Sequence, residues 1–239
     1  MTDTPTSRVL LFGGGGIHDF RAICPILKGY LAQLSAVTVD YVIEDYSVFH
    51  ADRIQAYDLA VVYHTGGELP TEPKRGLVEW VASGKGFVGV HSAADSFTDS
   101  PDYIAMLGGV FKGHPPCRDY LVGISDINHP VTAGIEGYKV KDWEKWPVLE
   151  FKVCDEQYLT DYDPRVRVLA AASYSGIWPY DLSHAVQWPV AWVKNWGRGR
   201  VFYLALGHDA DACLNPFFRQ IFINGASWAL TPDTEKKQE

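Results

Sequence analysis

Apolar residues alternate between two rhythms along the first half of the chain. Residues 8–12, 58–64 and 86–90 are short, nearly continuous apolar runs, the pattern of strands buried on both faces, and residues 37–43 are strand-like and rich in β-branched residues. Between them, residues 20–34 carry Ile23, Ile26, Leu27, Tyr30, Leu31 and Leu34 at helical spacing, and residues 71–83 carry Leu77, Trp80 and Val81 on one helical face. Thr71 or Glu72 is placed to cap the second helix, with Pro73 in its first turn and Gly84 ending it. A further short helix is expected over residues 99–107. This β-α-β order predicts a parallel sheet with right-handed crossovers.

The rhythm changes after Gly113. Residues 120–124, 148–159, 166–173, 189–194 and 200–206 read as strands without long helices between them, and residues 195–199 read as a hairpin turn. Asn128-His129-Pro130 and Asp163-Pro164 are turn signals. Residues 215–230 form a closing amphipathic helix with Phe217, Phe218, Ile221, Phe222 and Trp228 expected inward. No repeat or linker divides the chain. The expectation is one α/β domain over residues 8–230, mostly parallel with an antiparallel extension at one edge, between a flexible start (1–7) and a disordered polar tail (231–239).

Composition narrows the function. An apolar content of 47% over 239 residues is enough for a full core. A net charge of −8 with no basic cluster argues against nucleic acid. Cys24, Cys117, Cys154 and Cys213 are far apart and form no CxxC pair, so free thiols in a reducing compartment are expected. No segment reads as a signal peptide or membrane span, which points to the cytoplasm. Gly13-Gly14-Gly15-Gly16 fails the dinucleotide fingerprint because His18 stands at the third glycine position, and no Gly-Lys-Ser/Thr follows. No nucleotide cofactor is expected. The glycines read as a sharp turn off the first strand, or as room for a ligand to approach the backbone.

The candidate chemistry is histidine-rich. His18, His64, His91 and His208 each follow a predicted strand, and His114 sits on the loop after the 99–107 helix. Ligands bind outside the carboxyl ends of strands in open α/β sheets. Imidazole serves there as acid, base or metal ligand. No HExxH spacing exists, so a divalent metal, zinc foremost, would be held by His18, His91, His114 and His208 from separate loops. His91-Ser92 occupies an elbow-like position, but the GxSxG frame is absent. General acid–base work by His91 or His208 is more natural than attack by Ser92. Asp209 or Asp211 could orient His208, or cap a helix. Asp155 and Glu156 would point to opposite faces of a strand, so at most one enters a given site. Trp143, Trp146 and Trp178 lie in loop-like stretches and suit sugar rings or protein partners.

A series of segments carries a family resemblance: Phe87-Val88-Gly89-Val90-His91-Ser92-Ala93, Gly113-His114-Pro115, Asn128-His129-Pro130-Val131-Thr132, Asp155-Glu156-Gln157-Tyr158, Pro189-Val190-Ala191-Trp192, Leu206-Gly207-His208-Asp209 and Asn224-Gly225-Ala226-Ser227-Trp228-Ala229-Leu230. In this order they resemble the ThuA-like (trehalose-utilisation) family of the class I glutamine amidotransferase-like superfamily. The resemblance implies a flavodoxin-like three-layer α/β/α sandwich and a role in breakdown of trehalose or related, including keto, sugars. True amidotransferases carry a Cys nucleophile at the elbow, where this chain has His91, while His208 falls where their catalytic His is expected. Thiol-dependent glutamine hydrolysis is therefore disfavoured.

The reading that follows is a cytoplasmic carbohydrate hydrolase, lyase or isomerase. His91, His208 and Glu156 are its catalytic candidates, and His18, Asp19, Ser92, His114, Trp178 and Asp209 its substrate contacts. The alternative is a non-catalytic sugar-binding or assembly module on the same fold. The expected partner is a small carbohydrate, with no membrane or nucleic acid; a homo-oligomer is compatible with the sequence.

Overall fold

A computed structural model of the chain describes residues 6–139, 149–174 and 186–231. The strands are β1 (Ser7–Gly15), β2 (Val37–Ile43), β3 (Leu59–Thr65), β4 (Gly86–Val90), β5 (Gly109–Gly113), β6 (Arg118–Ile124), β7 (Tyr138–Lys139), β8 (Leu149–Asp155), β9 (Leu159–Tyr162), β10 (Arg167–Tyr174), β11 (Val186–Trp196) and β12 (Gly199–Leu204). The helices are α1 (Phe20–Leu31), α2 (Ala51–Ile54), α3 (Thr71–Ala82), α4 (Pro101–Leu107), α5 (Ala210–Leu214) and α6 (Pro216–Leu230). Ten strands form one sheet in the order β2-β1-β3-β4-β12-β11-β10-β6-β8-β7. The first five pair in parallel, and every pairing from β12 onward is antiparallel. This is the flavodoxin-like sandwich with an antiparallel extension.

Apolar side chains alternate between two cores, one on each face of the sheet. Val9, Leu11, Val61, Val88 and Phe202 meet α1 and α6 on one face. Leu10, Phe12, Val62, Phe87 and Tyr203 meet α3 and α4 on the other. A separate two-stranded sheet, β5 with β9, lies beside the strand ends.

Four local expectations are corrected. The glycines do not turn off the first strand: Gly13, Gly14 and Gly15 continue β1 and pair with Tyr63, His64 and Thr65 of β3. A Cβ at Gly14 would lie 2.6 Å from Glu44 Cγ, and one at Gly15 would lie 2.2 Å from the Thr65 carbonyl oxygen. The glycines therefore permit close strand approach. The run expected as one strand over 148–159 is broken at Glu156-Gln157-Tyr158, where the chain leaves the large sheet and enters β9. Helix α3 starts without a side-chain cap, since Pro70 occupies the N-cap. Trp228 is only partly buried and has Arg200 over its ring at 4.9 Å; Ala226 and Ala229 supply the inward contacts instead. The strand β5 was not anticipated, because Gly109 and Gly113 bracket only three other residues. The loop tryptophans Trp143, Trp146 and Trp178 lie outside the described residues.

The packing of α6 yields a stability test. A Cβ on Gly225 would meet Phe202 ring carbons at 2.1 Å, whereas one on Gly29, exposed on α1, meets nothing within 4 Å. Gly225→Ala is expected to destabilise by about 3 kcal/mol through overpacking. Gly29→Ala should stabilise by roughly 0.5–1 kcal/mol through helix propensity. Urea denaturation midpoints of the two variants, moving in opposite directions, check both.

Candidate metal centre

Strand directions bring the site together. β4 and β12 run in parallel, and four antiparallel steps from β12 to β8 restore the same direction at β8. The carboxyl ends of β1, β4, β12 and β8 therefore share one edge. His18 follows β1, His91 follows β4, His208 follows β12 and Glu156 follows β8.

Each side chain is held from behind. His91 sits at an elbow with φ +46°, a strained conformation for a residue with a Cβ. Its Nδ1–H donates to the Ala205 carbonyl at 2.7 Å, and its own carbonyl accepts from the Tyr203 hydroxyl at 2.8 Å. Tyr158 packs on its ring with centroids 4.0 Å apart. His18 Nδ1 bonds the Thr65 hydroxyl at 2.7 Å. Asp155 is buried beneath β12 and accepts the backbone N–H of Gly207 at 2.7 Å and of His208 at 3.1 Å. Burial lifts the Asp155 carboxyl to about 7, against those backbone donors. The adjacent carboxylates thus divide their tasks: Asp155 positions the His208 backbone and Glu156 enters the site.

The functional atoms converge. His18 Nε2 and His91 Nε2 are 3.2 Å apart. Glu156 Oε2 lies 3.1 Å from His208 Nδ1, 3.5 Å from His91 Nε2 and 3.7 Å from His18 Nε2. One ligand atom from each of these four residues falls within 4.8 Å of all the others. His114 stands beside them, its Nε2 3.4 Å from Oε1 of Glu156 and its Nδ1–H donating to the Pro115 carbonyl.

The electrostatics follow from burial. His91 is fully buried, and desolvation pulls its pKa down to about 4. At neutral pH the ring is therefore uncharged; with Nδ1 donating to Ala205, its Nε2 presents a lone pair to the cluster. Burial disfavours the Glu156 carboxylate, but the imidazoles of His18, His208 and His91 outweigh this and hold its pKa far below the usual range. Contact with Glu156 raises the His208 pKa, against desolvation. Nδ1 of His208 is buried, lies 3.1 Å from Oε2 of Glu156, and has no further partner among the described residues.

Other candidates stand apart. Asp19 caps α1 by accepting the Ala22 N–H at 3.1 Å, and Asp209 caps α5 by accepting the Ala212 N–H at 2.7 Å. Ser92 is buried beside His91, and its hydroxyl has no hydrogen-bond partner among the described residues. His64 turns away from the cluster: its ring stacks on Phe97 and Phe12, Nε2 meets the Tyr46 hydroxyl at 3.0 Å, and Nδ1 meets Ser96 Oγ at 3.3 Å. Thr65 and the Ala205 carbonyl, which orient two of the histidines, were missed. Thr65 directly follows His64 in the sequence, but nothing local marks a backbone carbonyl as a histidine partner.

The family model for trehalose utilisation, ThuA, matches residues 8–229. The chain belongs to the ThuA family. A putative ThuA-like protein from Parabacteroides merdae is 24% identical with a TM-score of 0.76, covering 95% of this chain and 91% of that one. A second, from Bacteroides uniformis, is 20% identical with a TM-score of 0.72, covering 96% and 93%. A β-galactosidase from Rahnella sp. R3 shares the fold at 16% identity and a TM-score of 0.57, with 95% of this chain matching 31% of that enzyme. No curated protein matches this chain in sequence. No helix among the described residues is long and apolar enough to cross a membrane.

His64 generates a pH prediction. Burial lowers its pKa to about 4. The unfolded chain takes up a proton near pH 6.5 that the folded ring refuses, so this residue's contribution is present above pH 6.5 and lost as pH falls toward 4. The loss is on the order of 3 kcal/mol. Urea titrations should show His64→Phe with a flatter stability profile than the parent across that interval; parallel profiles would refute the assignment.

Proposed function

We propose that this ThuA family member is a metal-dependent enzyme acting on a carbohydrate, with His18, His91, His208 and Glu156 holding a divalent cation, zinc foremost. The spacing of the four donors carries the reading. Ligands bound about 2.0–2.1 Å from a tetrahedral zinc ion lie roughly 3.3 Å from one another. The closest donor separations here run from 3.1 to 3.7 Å. Two further features support it. The Nε2 lone pair of His91 faces a carboxylate oxygen and another imidazole, an arrangement that a shared cation relieves. Nδ1 of His208 is buried and faces only Glu156 among the described residues, so it is available as a ligand atom. The contacts of His91 to a carbonyl and His18 to a hydroxyl are those that orient histidine ligands.

A bound cation would supply charge stabilisation for a developing oxyanion on the sugar. The chain's own groups do the rest. His18 and His91 are 4% and 0% exposed and form the back of the site, while His208 and His114 are 30% and 29% exposed and form its mouth. Substrate therefore enters past His208 and His114. His114, with Nδ1 committed to Pro115, uses Nε2 to exchange protons beside Glu156 Oε1. The family description, trehalose utilisation, supports trehalose or a related sugar as the substrate; hydrolysis, elimination and isomerisation all need such proton transfer to and from oxygen.

Elemental analysis of the purified chain is expected to find about one divalent ion per molecule. His18→Ala and His208→Ala should each lower metal affinity by roughly 10-fold or more, and a chelator should abolish turnover of trehalose or its keto derivative until metal is restored. An absence of bound metal, together with unchanged turnover in His91→Ala, would sink the proposal. Saturable sugar binding without turnover would leave the metal and remove the enzyme.

A further inference from the structure

The opposite edge of the sheet carries a second concavity, independent of the metal reading. Its volume is about 700 Å³, within the range of small-molecule sites. Strand register explains what lines it. Arg167 of β10 pairs with Val193 of β11, and Asn195 of β11 pairs with Arg200 of β12. Paired residues, and residues two apart on a strand, share a face. Arg167, Asn195 and Arg200 therefore stand on one face, across three adjacent strands, beneath His129 and Trp228. Arg200 opens β12 and His208 follows its far end, so the two sites are roughly 20 Å apart along the strand.

The donors are held in place. Nε and Nη2 of Arg167 both engage Oδ2 of Asp126, and Nη1 has no hydrogen-bond partner among the described residues. Arg200 packs over the Trp228 ring and donates to the Trp228 carbonyl at 3.2 Å. His129 Nδ1 accepts the Val131 N–H at 3.2 Å, which places the proton of the neutral ring on Nε2 and makes it a donor. The field is positive: after burial, Arg167 and Arg200 are the main charges holding His129 uncharged, against Asp126. Farther along the groove, Lys194 and Arg165 both pair with Asp163.

We infer that this groove binds a phosphate dianion, either free or as the phosphomonoester of a small metabolite. The argument is geometric. Arg167 and Arg200 rise from strands separated by two inter-strand spacings, about 10 Å. That separation lets two guanidinium groups close on opposite sides of one tetrahedral anion, with His129 and Asn195 adding donors between them. A flat carboxylate is satisfied by a single guanidinium fork; a tetrahedral phosphate has oxygens for several. In a chain of net charge −8, Arg165, Arg167, Lys194 and Arg200 gather along this one groove.

Calorimetric titration of the full chain with inorganic phosphate, and separately with glucose 6-phosphate, tests the inference. Saturable heat is expected with at least one probe, and it should survive in His18→Ala. It should weaken about tenfold or more in Arg200→Gln and in Arg167→Lys, which keeps the charge beside Asp126 but loses the planar fork. Equal affinity for both probes assigns the groove to phosphate alone, and tighter glucose 6-phosphate assigns it to the ester. No saturable heat from either probe overturns the inference. So does binding lost in His18→Ala but retained in the arginine variants, since that places the anion at the metal cluster. Should Arg200→Gln fail to fold by circular dichroism, Arg167→Lys decides.

Discussion

A carboxylate on one strand end, facing three imidazoles from three others, is the contact on which the arrangement of this molecule turns. Glu156 is 11% exposed at its side chain, and a carboxylate so buried persists only with compensating charge or donors. His18, His91 and His208 come from positions up to 190 residues apart (18 to 208). They reach Glu156 because β8 regains the direction of β12 after an even number of antiparallel steps. With one strand fewer in the extension, Glu156 would fall on the edge where the arginines lie. The antiparallel extension is thus a condition of the site as well as an addition to the core.

The parallel half was legible because its signals are local. Continuous apolar runs separated by 3.6-periodic stretches leave few topologies, and the carboxyl-edge rule then gathers the histidines. Three of the four strand-end histidines, His18, His91 and His208, do meet. His64 does not, because its place on β3 turns its ring toward Phe12 and Phe97, a facing that the strand-end position alone could not reveal. The break at Glu156 was hidden for a similar reason. Asp155 ends β8 by taking backbone donors from Gly207 and His208, residues 52 and 53 positions away, and no nearby turn residue signals it. Asp209 was ambiguous between orienting His208 and capping a helix, and Asp19 was expected at the substrate; the hydrogen bonds that both make are those of caps.

The same geometry accounts for the chemistry that is missing. The elbow after β4 strains its first residue into φ +46°, a cost that other folds spend to expose a nucleophile. Here the strained residue is a buried histidine whose Nδ1 is committed to a backbone carbonyl. It has no thiol or hydroxyl to attack with, and no room to act as a mobile base. Cys24 and Cys213 lie buried in helices, where desolvation raises the thiol pKa, and Cys117 and Cys154 are exposed at the extension. The elbow instead fixes the direction of a lone pair, a task that suits a ligand better than a catalyst of proton transfer. His114, partly exposed beside Glu156, is the imidazole left for proton transfer in the proposed reaction.

The two ends of β12 then differ in charge for one structural reason. At its carboxyl end, acidic and imidazole groups from four elements face inward around a small volume, where each needs the others for compensation. At its amino end, arginines on neighbouring strands stand side by side, each anchored by an aspartate, a carbonyl or an aromatic face, and open to a wider groove. The first arrangement is closed enough to grip a single ion; the second leaves space for a larger anion.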